Sequence, residues 1–507
     1  MWSLVLVCVS LVLLLVLLDA LYRRKNHRLQ ELARKLPTPF PIRPLIGTYY
    51  CPSDNSLVYN SETFAKHVIE VTRLAAKHKY SVFCDWIGPK PLIFIQKPAD
   101  IQIILNSSKG IFKNYSIITF LFGQGLLTAS GSRWKATRRL ISPLFHPQNL
   151  QRLAPLMNKN AEVLVGNLSG LVGKGFTDVF DRALGLSVRS ICALVFGTDA
   201  VCELNNKTFD LGLECVHRGS DLVQARAFRP WLWLDRVWEF MYNRALREFQ
   251  HTWEQFVSQP VEIIKRQRLT DHKEDESADS GKFNDVYSPL SVPGLVSEAF
   301  SPADVEWEMK TFVGTGTDSI AVSLSSCLLM LGKHQDVQEM LYQDIISVVG
   351  TEEKDITVDD LYRLPYLTRV IKETLRVCMV LPVVSRTLPE DIQLGEYKLP
   401  KGAMIFLSLV GLHFDPEVYQ DPHVFNPDRF TPDLVTERHP YSFLPFSGGP
   451  RNCIGKQYAY MLLKIALIHI LKTFKVSSDC DLENMRFGFV VTLNNLDGYK
   501  VAFERRS

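Results

Sequence analysis

One stretch of the chain brings a sulfur nucleophile, a guanidinium and three glycines together at fixed offsets. It reads Phe446-Ser-Gly-Gly449-Pro-Arg451-Asn-Cys453-Ile-Gly455 and runs directly into a helical pattern. Glycine lets the backbone bend tightly and approach a flat ligand closely. A cysteine at a helix N-terminus has its thiolate stabilised by the dipole and by free backbone N–H groups. An arginine two residues earlier can neutralise a carboxylate on the same ligand. A buried free cysteine in a glycine loop is common taken singly. Phe, Gly, Arg, Cys and Gly at five set offsets arise by chance on the order of 1 in 10,000 times for ordinary composition. The other cysteines, Cys8, Cys51, Cys84, Cys192, Cys202, Cys215, Cys327, Cys378 and Cys480, are scattered with no CxxC pair. Neither a zinc site nor a disulfide framework is signalled, and the dispersal suits a reducing compartment. Two further pairs are candidates: Trp134 and Arg138, one helical turn apart on one side, and Glu373 with Arg376. The Glu-x-x-Arg spacing alone decides little, because Glu31–Arg34 and Glu483–Arg486 share it.

Helices must position most of these groups. Val305 to Leu331 lacks proline and is apolar enough to be buried nearly all round. Leu367, Val370, Ile371, Thr374 and Cys378 mark one face of a second helix, and Tyr458 to Phe474 forms a third. Short β-like pieces lie at 81–86, 91–96 and 403–408. The stretch 270–284, rich in Asp, Glu, Lys and Ser, reads as a surface loop. At the start of the chain, Trp2 to Leu18 is apolar apart from Ser3 and Ser10, and Arg23, Arg24, Lys25 and Arg28 follow. As a helix this run rises roughly 26 Å, close to the thin hydrocarbon core of the endoplasmic reticulum. Charge after the apolar run predicts an uncleaved anchor with the remainder in the cytosol. The alternating prolines from Leu36 to Pro44 predict a stiff spacer. A net charge of +3, with no basic tract interleaved with aromatics, argues against nucleic acid.

The cysteine loop resembles that of the cytochrome P-450 family, and the resemblance runs over nearly the whole chain. It implies a mainly α fold with small β-sheets behind one N-terminal transmembrane helix. The expected organisation is an anchor over 1–22, a basic flank and proline-rich hinge over 23–48, and a haem-thiolate catalytic domain over 49–507. It implies haem b, with Cys453 as the iron ligand and Phe446 in its loop. Trp134, Arg138, Arg386 and Arg451 would meet the haem propionates. Glu373, Arg376 and Arg429 would form a structural Glu–Arg–Arg cluster. Thr315-Gly316-Thr317-Asp318-Ser319-Ile320 is similar to the family's oxygen-activation segment, in which the glycine gives space over the iron while Asp318 and Ser319 relay protons. Ser319 stands where threonine is usual. Glu308-Met-Lys-Thr311-Phe312 is similar to the fatty-acid hydroxylase branch, which has many insect members. That branch often carries a glutamate at the position of Thr315, able to form an ester bond with haem.

The implied activity is monooxygenation: one atom of O2 enters a hydrophobic substrate, with electrons from NADPH. No nicotinamide or flavin fold is evident in the chain, so NADPH–cytochrome P-450 reductase is the expected partner, with cytochrome b5 a second possible donor. Membrane lipid and a hydrophobic small molecule complete the expected partners, at the cytosolic face of the endoplasmic reticulum membrane. Arg133, Lys135, Arg139, Lys456 and Lys464 are candidates for the docking face. The segment Tyr115 to Phe122, which includes Ile117, Ile118, Phe120, Leu121 and Phe122, is candidate pocket lining together with Leu381, Val383, Val384 and 487–491. Two other functions compete: a reductase-independent isomerase or dehydratase of the same family, against which the Asp318–Ser319 pair argues, and a haem-binding sensor or carrier without turnover.

Overall fold

The computed structural model describes residues 2–43, 46–107, 116–274, 301–482, 484–489 and 491–506. Its axis is the helix Pro302–Lys333. Ser301 starts that helix by accepting the Asp304 N–H, while the Asp304 carboxylate accepts the Ser301 N–H, and Pro302 occupies a first-turn position that needs no amide bond. Its 32 residues rise about 48 Å. Ala321, Leu324, Cys327, Met330 and Leu331 are fully buried. Among the described residues this is the one helix long and apolar enough to cross a membrane, yet 72% of its apolar window lies inside the fold. It is a core helix. Helices Phe180–Phe196, Asn206–Ala227, Pro365–Val377 and Lys456–Thr473 pack around it.

The largest sheet has four strands, in the order Val82–Ile87, Lys90–Ile95, Met404–Ser408 and Val383–Thr387. The first two pair antiparallel, while Leu92 to Ile95 lie parallel to Met404 to Leu407. A parallel pair needs a crossover connection, and here the crossover is the whole helical body. The strand Val383–Thr387 carries Arg386 and runs antiparallel to Met404–Ser408. Smaller sheets join Phe474–Ser477 to Lys500–Arg505 and Phe487–Phe489 to Leu493–Asn495. The expected mainly α fold with small sheets is what the chain forms.

Two expectations change. The proline-rich segment is no free spacer. Leu36 is buried, the Pro37 carbonyl accepts the Cys84 N–H (2.8 Å), and the Pro41 carbonyl accepts the Tyr50 hydroxyl (2.8 Å). Apolar burial against the sheet holds it down, together with Ala33 of the short helix His27–Ala33; Pro44 lies outside the described residues. The polar stretch 270–284 is also not all loop. Its first residues continue the helix Asp235–Glu274, and the rest lies outside the described residues. The chain opens with a single helix, Trp2–Lys25, on which Leu13, Val16, Leu17, Leu18 and Leu21 are exposed.

Candidate functional site

Cys453 lies just ahead of the helix Lys456–Thr473, whose N-cap is Gly455. Its amide donates to the Phe446 carbonyl (2.9 Å), closing the loop, and Phe446 packs on Tyr460 at 5.2 Å between ring centroids. Gly449 has φ +67°, and a Cβ there would fall 2.2 Å from the Leu105 carbonyl oxygen, so only glycine fits. Ser447, a non-glycine residue, sits at φ +57°, a costly conformation of the kind that clusters at functional loops. Among the described cysteines only Cys202 and Cys453 are exposed. Burial pushes the Cys215 and Cys327 thiols up to about 12, so neither supplies a thiolate near neutral pH. Cys202 closes a five-residue helix with no arginine loop.

Three arginines converge on the loop. Arg138, from helix Gly131–Ile141, donates to the Asn452 carbonyl and to Asn452 Oδ1, both at 3.0 Å. Burial lowers the proton affinity of its guanidinium, and the charge of the Cys453 sulfur raises it again. Arg451 reaches the Ala129 carbonyl (2.5 Å), with its guanidinium 4.5 Å from the Trp134 ring centre. Arg386 is buried and donates to the Ser385 carbonyl (2.8 Å) and Ser447 Oγ (3.3 Å). Trp134, Arg138, Arg386, Phe446, Arg451 and Cys453 thus gather at one loop.

Behind the loop, Arg376 and Glu373 form a fully buried bidentate pair, with both contacts at 2.8 Å. Arg429 Nε lies 3.4 Å from Glu373 Oε1. Arg376 also donates to the His413 (2.9 Å) and Pro422 (2.7 Å) carbonyls, and the Asn426 amide to Glu373 (2.9 Å). The Glu–Arg–Arg cluster is present, whereas Glu31 and Arg34, with the same spacing, are both exposed. His413 was not singled out from the sequence. It is buried, its Nε2 accepts the Leu444 amide (3.1 Å), and burial beside Arg376 pulls it down to about 3. It is therefore neutral and carries the cluster's order into the cysteine loop.

On the central helix, Asp318 and Ser319 do not act on each other. Ser319 Oγ donates to the Thr315 carbonyl (2.9 Å) and Thr315 Oγ1 to the Thr311 carbonyl (2.6 Å), while Asp318 accepts the Thr492 hydroxyl. Adjacent helical residues point about 100° apart, which separates the two. Burial raises the Asp318 carboxyl, opposed by the Thr492 hydrogen bond and by the charge of His217. Gly316 also differs from expectation. A Cβ there would fall 2.6 Å from Ile191 Cδ1, so the glycine serves close approach of the helix Phe180–Phe196. Glu308, quoted only as a motif residue, is buried, accepts the Leu126 amide (3.1 Å) and is raised by burial to about 7.

A cleft opens beside this helix, lined by Leu121, Phe122, Val223, Phe249, Trp253 and Val491 among others, with Cys215, Lys310 and Asp318 its ionisable side chains. Lys310 is held by Glu306 (2.7 Å) and Gln250 (2.9 Å). Of the expected lining, Leu121, Phe122 and Val491 are present. Phe120 instead packs on Trp238, Val383 and Val384 lie in the sheet core, and Phe487 borders a second, smaller cavity. Tyr115 and Val490 lie outside the described residues. The two helices contributing Val223, Phe249 and Trp253 carried no sequence signal for this role. Of the docking candidates, Lys135, Arg139 and Lys456 are exposed. Arg133 is engaged by Asp304 and the Gln124 carbonyl, and Lys464 by the Leu361 carbonyl (2.9 Å), where burial takes it down to about 8.

The residues present fit a haem. Among the described residues, the only exposed cysteine beside arginines stands at a long helix's N-terminal end, and Arg138 has no acidic partner, leaving it suited to a propionate. Comparison with known proteins agrees. The sequence profile of the family described as Cytochrome P450 matches residues 53–501. "Cytochrome P450 4V2" of Mus musculus is 31% identical over 503 residues, 96% of this chain and 92% of that protein. "Cytochrome P450 4c21" of Blattella germanica is 28% identical over 495 residues, 95% of each. The crystal structure of the cytochrome P450DA heme domain superposes with a TM-score of 0.74 at 22% identity, covering 93% of this chain and 98% of that one, which shows a shared fold. The chain belongs to the cytochrome P-450 family, and it is a monooxygenase of that family.

Proposed function

We propose that the protein is a membrane-anchored haem-thiolate enzyme that inserts one atom of O2 into a hydrophobic substrate. The electrons come from NADPH through a separate reductase. The observation that carries this reading is the Cys453 loop, with its exposed sulfur ahead of a helix N-terminus and Arg138, Arg386 and Arg451 meeting the same loop. Cys453 is the iron ligand, Phe446 packs the loop, and Trp134 with the three arginines holds the propionates. When bound, the haem supplies reductive activation of dioxygen at a thiolate-ligated iron. Asp318 and Ser319 border that chemistry from the central helix, with Asp318 on the cleft wall as the proton-carrying group. The apolar lining favours a hydrophobic substrate, and the exposed Lys135, Arg139 and Lys456 suit an acidic donor surface.

The anchor is the helix Trp2–Lys25, on which Leu13, Val16, Leu17, Leu18 and Leu21 are exposed. Trp231, Trp233, Leu234, Phe240 and Met241 are also exposed, around the start of the helix Asp235–Glu274. Aromatic and aliphatic groups of this kind suit a bilayer interface. The setting is the cytosolic face of the endoplasmic reticulum membrane.

The test is the full-length holoenzyme reconstituted with lipid and reductase. Wild-type protein should show the thiolate–iron carbon monoxide spectrum and form oxygenated product only with NADPH. Cys453→Ala should lose that spectrum. A thiolate spectrum persisting in the purified variant would sink the ligand assignment, and product formation independent of NADPH and reductase would sink the reaction class.

A further inference from the structure

The Asp318 carboxyl is bonded not to its sequence neighbour but to a residue 174 positions away, Thr492. Thr492 is buried, on the short loop entering the strand Leu493–Asn495. Asn494 Nδ2 in turn donates to Thr492 Oγ1 (3.0 Å). A threonine hydroxyl has one proton to donate and two lone pairs. With Asn494 donating to it, its own proton is left for Asp318 Oδ2. The opposite orientation of the Asn494 amide would ask the single threonine proton to serve two acceptors whenever Asp318 is ionised. Asn494 Oδ1 is buried and has no partner among the described residues, as expected if the amide is fixed by its donor end. The loop itself is held: Leu493 to Asn495 pair with Phe487 to Phe489, and Asn495 Nδ2 closes the following turn on the Gly498 carbonyl (2.7 Å).

We infer that Thr492, oriented by Asn494, is a positioning residue that holds the Asp318 carboxyl on the cleft wall for proton transfer. The inference rests on the monooxygenase reading. A carboxyl that delivers protons must neither swing away nor stay permanently protonated in an apolar wall. Burial favours the acid form, and the Thr492 hydrogen bond favours the carboxylate. The other ionisable groups around Asp318 are His217 and Cys215 on the helix Asn206–Ala227, Tyr499 beyond the strand, and Lys310 two turns earlier on the same helix. None of these is bonded to the carboxyl. Ser319 is committed to the Thr315 carbonyl, so the threonine from the opposite wall is the group that sets the acid's direction.

The experiment reads the Asp318 carbonyl band in the infrared spectrum of resting ferric holoenzyme, without NADPH, identified by its loss in Asp318→Asn. Its pH midpoint should rise by about one to two units in Thr492→Val, the effect of losing one hydrogen bond to a charged group. Thr492→Ser should restore the wild-type midpoint, and Asn494→Ala should move it the same way by less. Product formed per NADPH consumed should fall in Thr492→Val and recover in Thr492→Ser. An unmoved midpoint in Thr492→Val overturns the inference. If that variant does not load haem, an unmoved midpoint in Asn494→Ala does so alone. A wild-type enzyme that gives the carbon monoxide spectrum but no NADPH-dependent product would defeat the monooxygenase reading instead, with the infrared result still deciding the hydrogen bond.

Discussion

On the proposed reading, the side chain at Thr315 bears on how the cofactor is retained. Relatives of this motif type often carry a carboxylate at that point, which can be oxidised onto a haem methyl. Thr315 offers a hydroxyl, and that hydroxyl is already given to the Thr311 carbonyl at 2.6 Å. Asp318, three residues on, is turned to Thr492. Both side chains are committed within the protein, so on the proposed reading Cys453 and ion pairs alone would hold the haem. Acid–organic extraction of the native holoenzyme should leave a colourless polypeptide. Haem that stays with the chain through denaturing chromatography would contradict this. At this scale the sequence was informative where chemistry is written in local offsets, as in the cysteine loop; Trp134 with Arg138 and Glu373 with Arg376 stood out only once the family resemblance was drawn. It was silent on Thr492 and His413, because their partners Asp318 and Leu444 lie far away along the chain. Nothing in a lone threonine or histidine announces such a partner.

Elements transmit order from the Glu–Arg–Arg cluster to the cysteine loop, and His413 is the joint. It ends the short helix Leu409–His413, its carbonyl bound by Arg376 and its ring by the Leu444 amide. Ser447 then donates its amide to the Leu444 carbonyl (2.9 Å), one step before the glycines. The folded pKa of His413 is about 3, against roughly 6.5 in an unfolded chain. Between those values the unfolded state binds the extra proton. The stabilisation is therefore complete above about pH 6.5 and declines as pH falls toward the folded value. His413→Gln can still accept the Leu444 amide but cannot titrate. Its holoenzyme should show a flatter fall in thermal midpoint from pH 6.5 to about 4 than wild type. Parallel curves for the two proteins would show that His413 does not govern acid sensitivity. Helix positions were readable from apolar periodicity, as Pro302–Lys333 and Pro365–Val377 show. The strand Val383–Thr387 was not identified, because its Val-Val-Ser-Arg-Thr run is too short for period-two patterning to stand out. The cleft walls from 206–227 and 235–274 were missed for a related reason: their apolar residues follow the same periodicity as any core face.

At the scale of the whole molecule the question is which side of the membrane the catalytic body occupies. Two groups of exposed apolar side chains belong to the proposed bilayer contact, those of Trp2–Lys25 and those between Trp231 and Met241. Orientation comes from charge, since Arg23, Arg24, Lys25 and Arg28 follow the apolar run and positive flanks stay cytosolic. The chain carries its own reporters: Asn-x-Ser/Thr sequons at Asn106, Asn114, Asn167 and Asn206. Asn114 lies outside the described residues; Asn106, Asn167 and Asn206 are exposed. Asn106 accepts the Tyr441 hydroxyl at 2.7 Å and Asn206 accepts from Arg189 at 2.8 Å. Asn167 has no hydrogen-bonded side-chain partner among the described residues and stands on the surface of the helix Ala154–Ser169. Asn167 is thus the most reachable acceptor if the body ever faces the lumen, while in the cytosol no sequon meets the glycosylating machinery. Expressed in a cell with an endoplasmic reticulum, the full chain should run at the same mobility with and without endoglycosidase. Moving the basic cluster ahead of the apolar run, with Arg23, Arg24 and Lys25 replaced by Ser, should invert the chain and produce an endoglycosidase-sensitive band that Asn167→Gln diminishes. Sugar on the wild-type chain would place the catalytic body on the luminal side and remove the basis for a cytosolic electron donor.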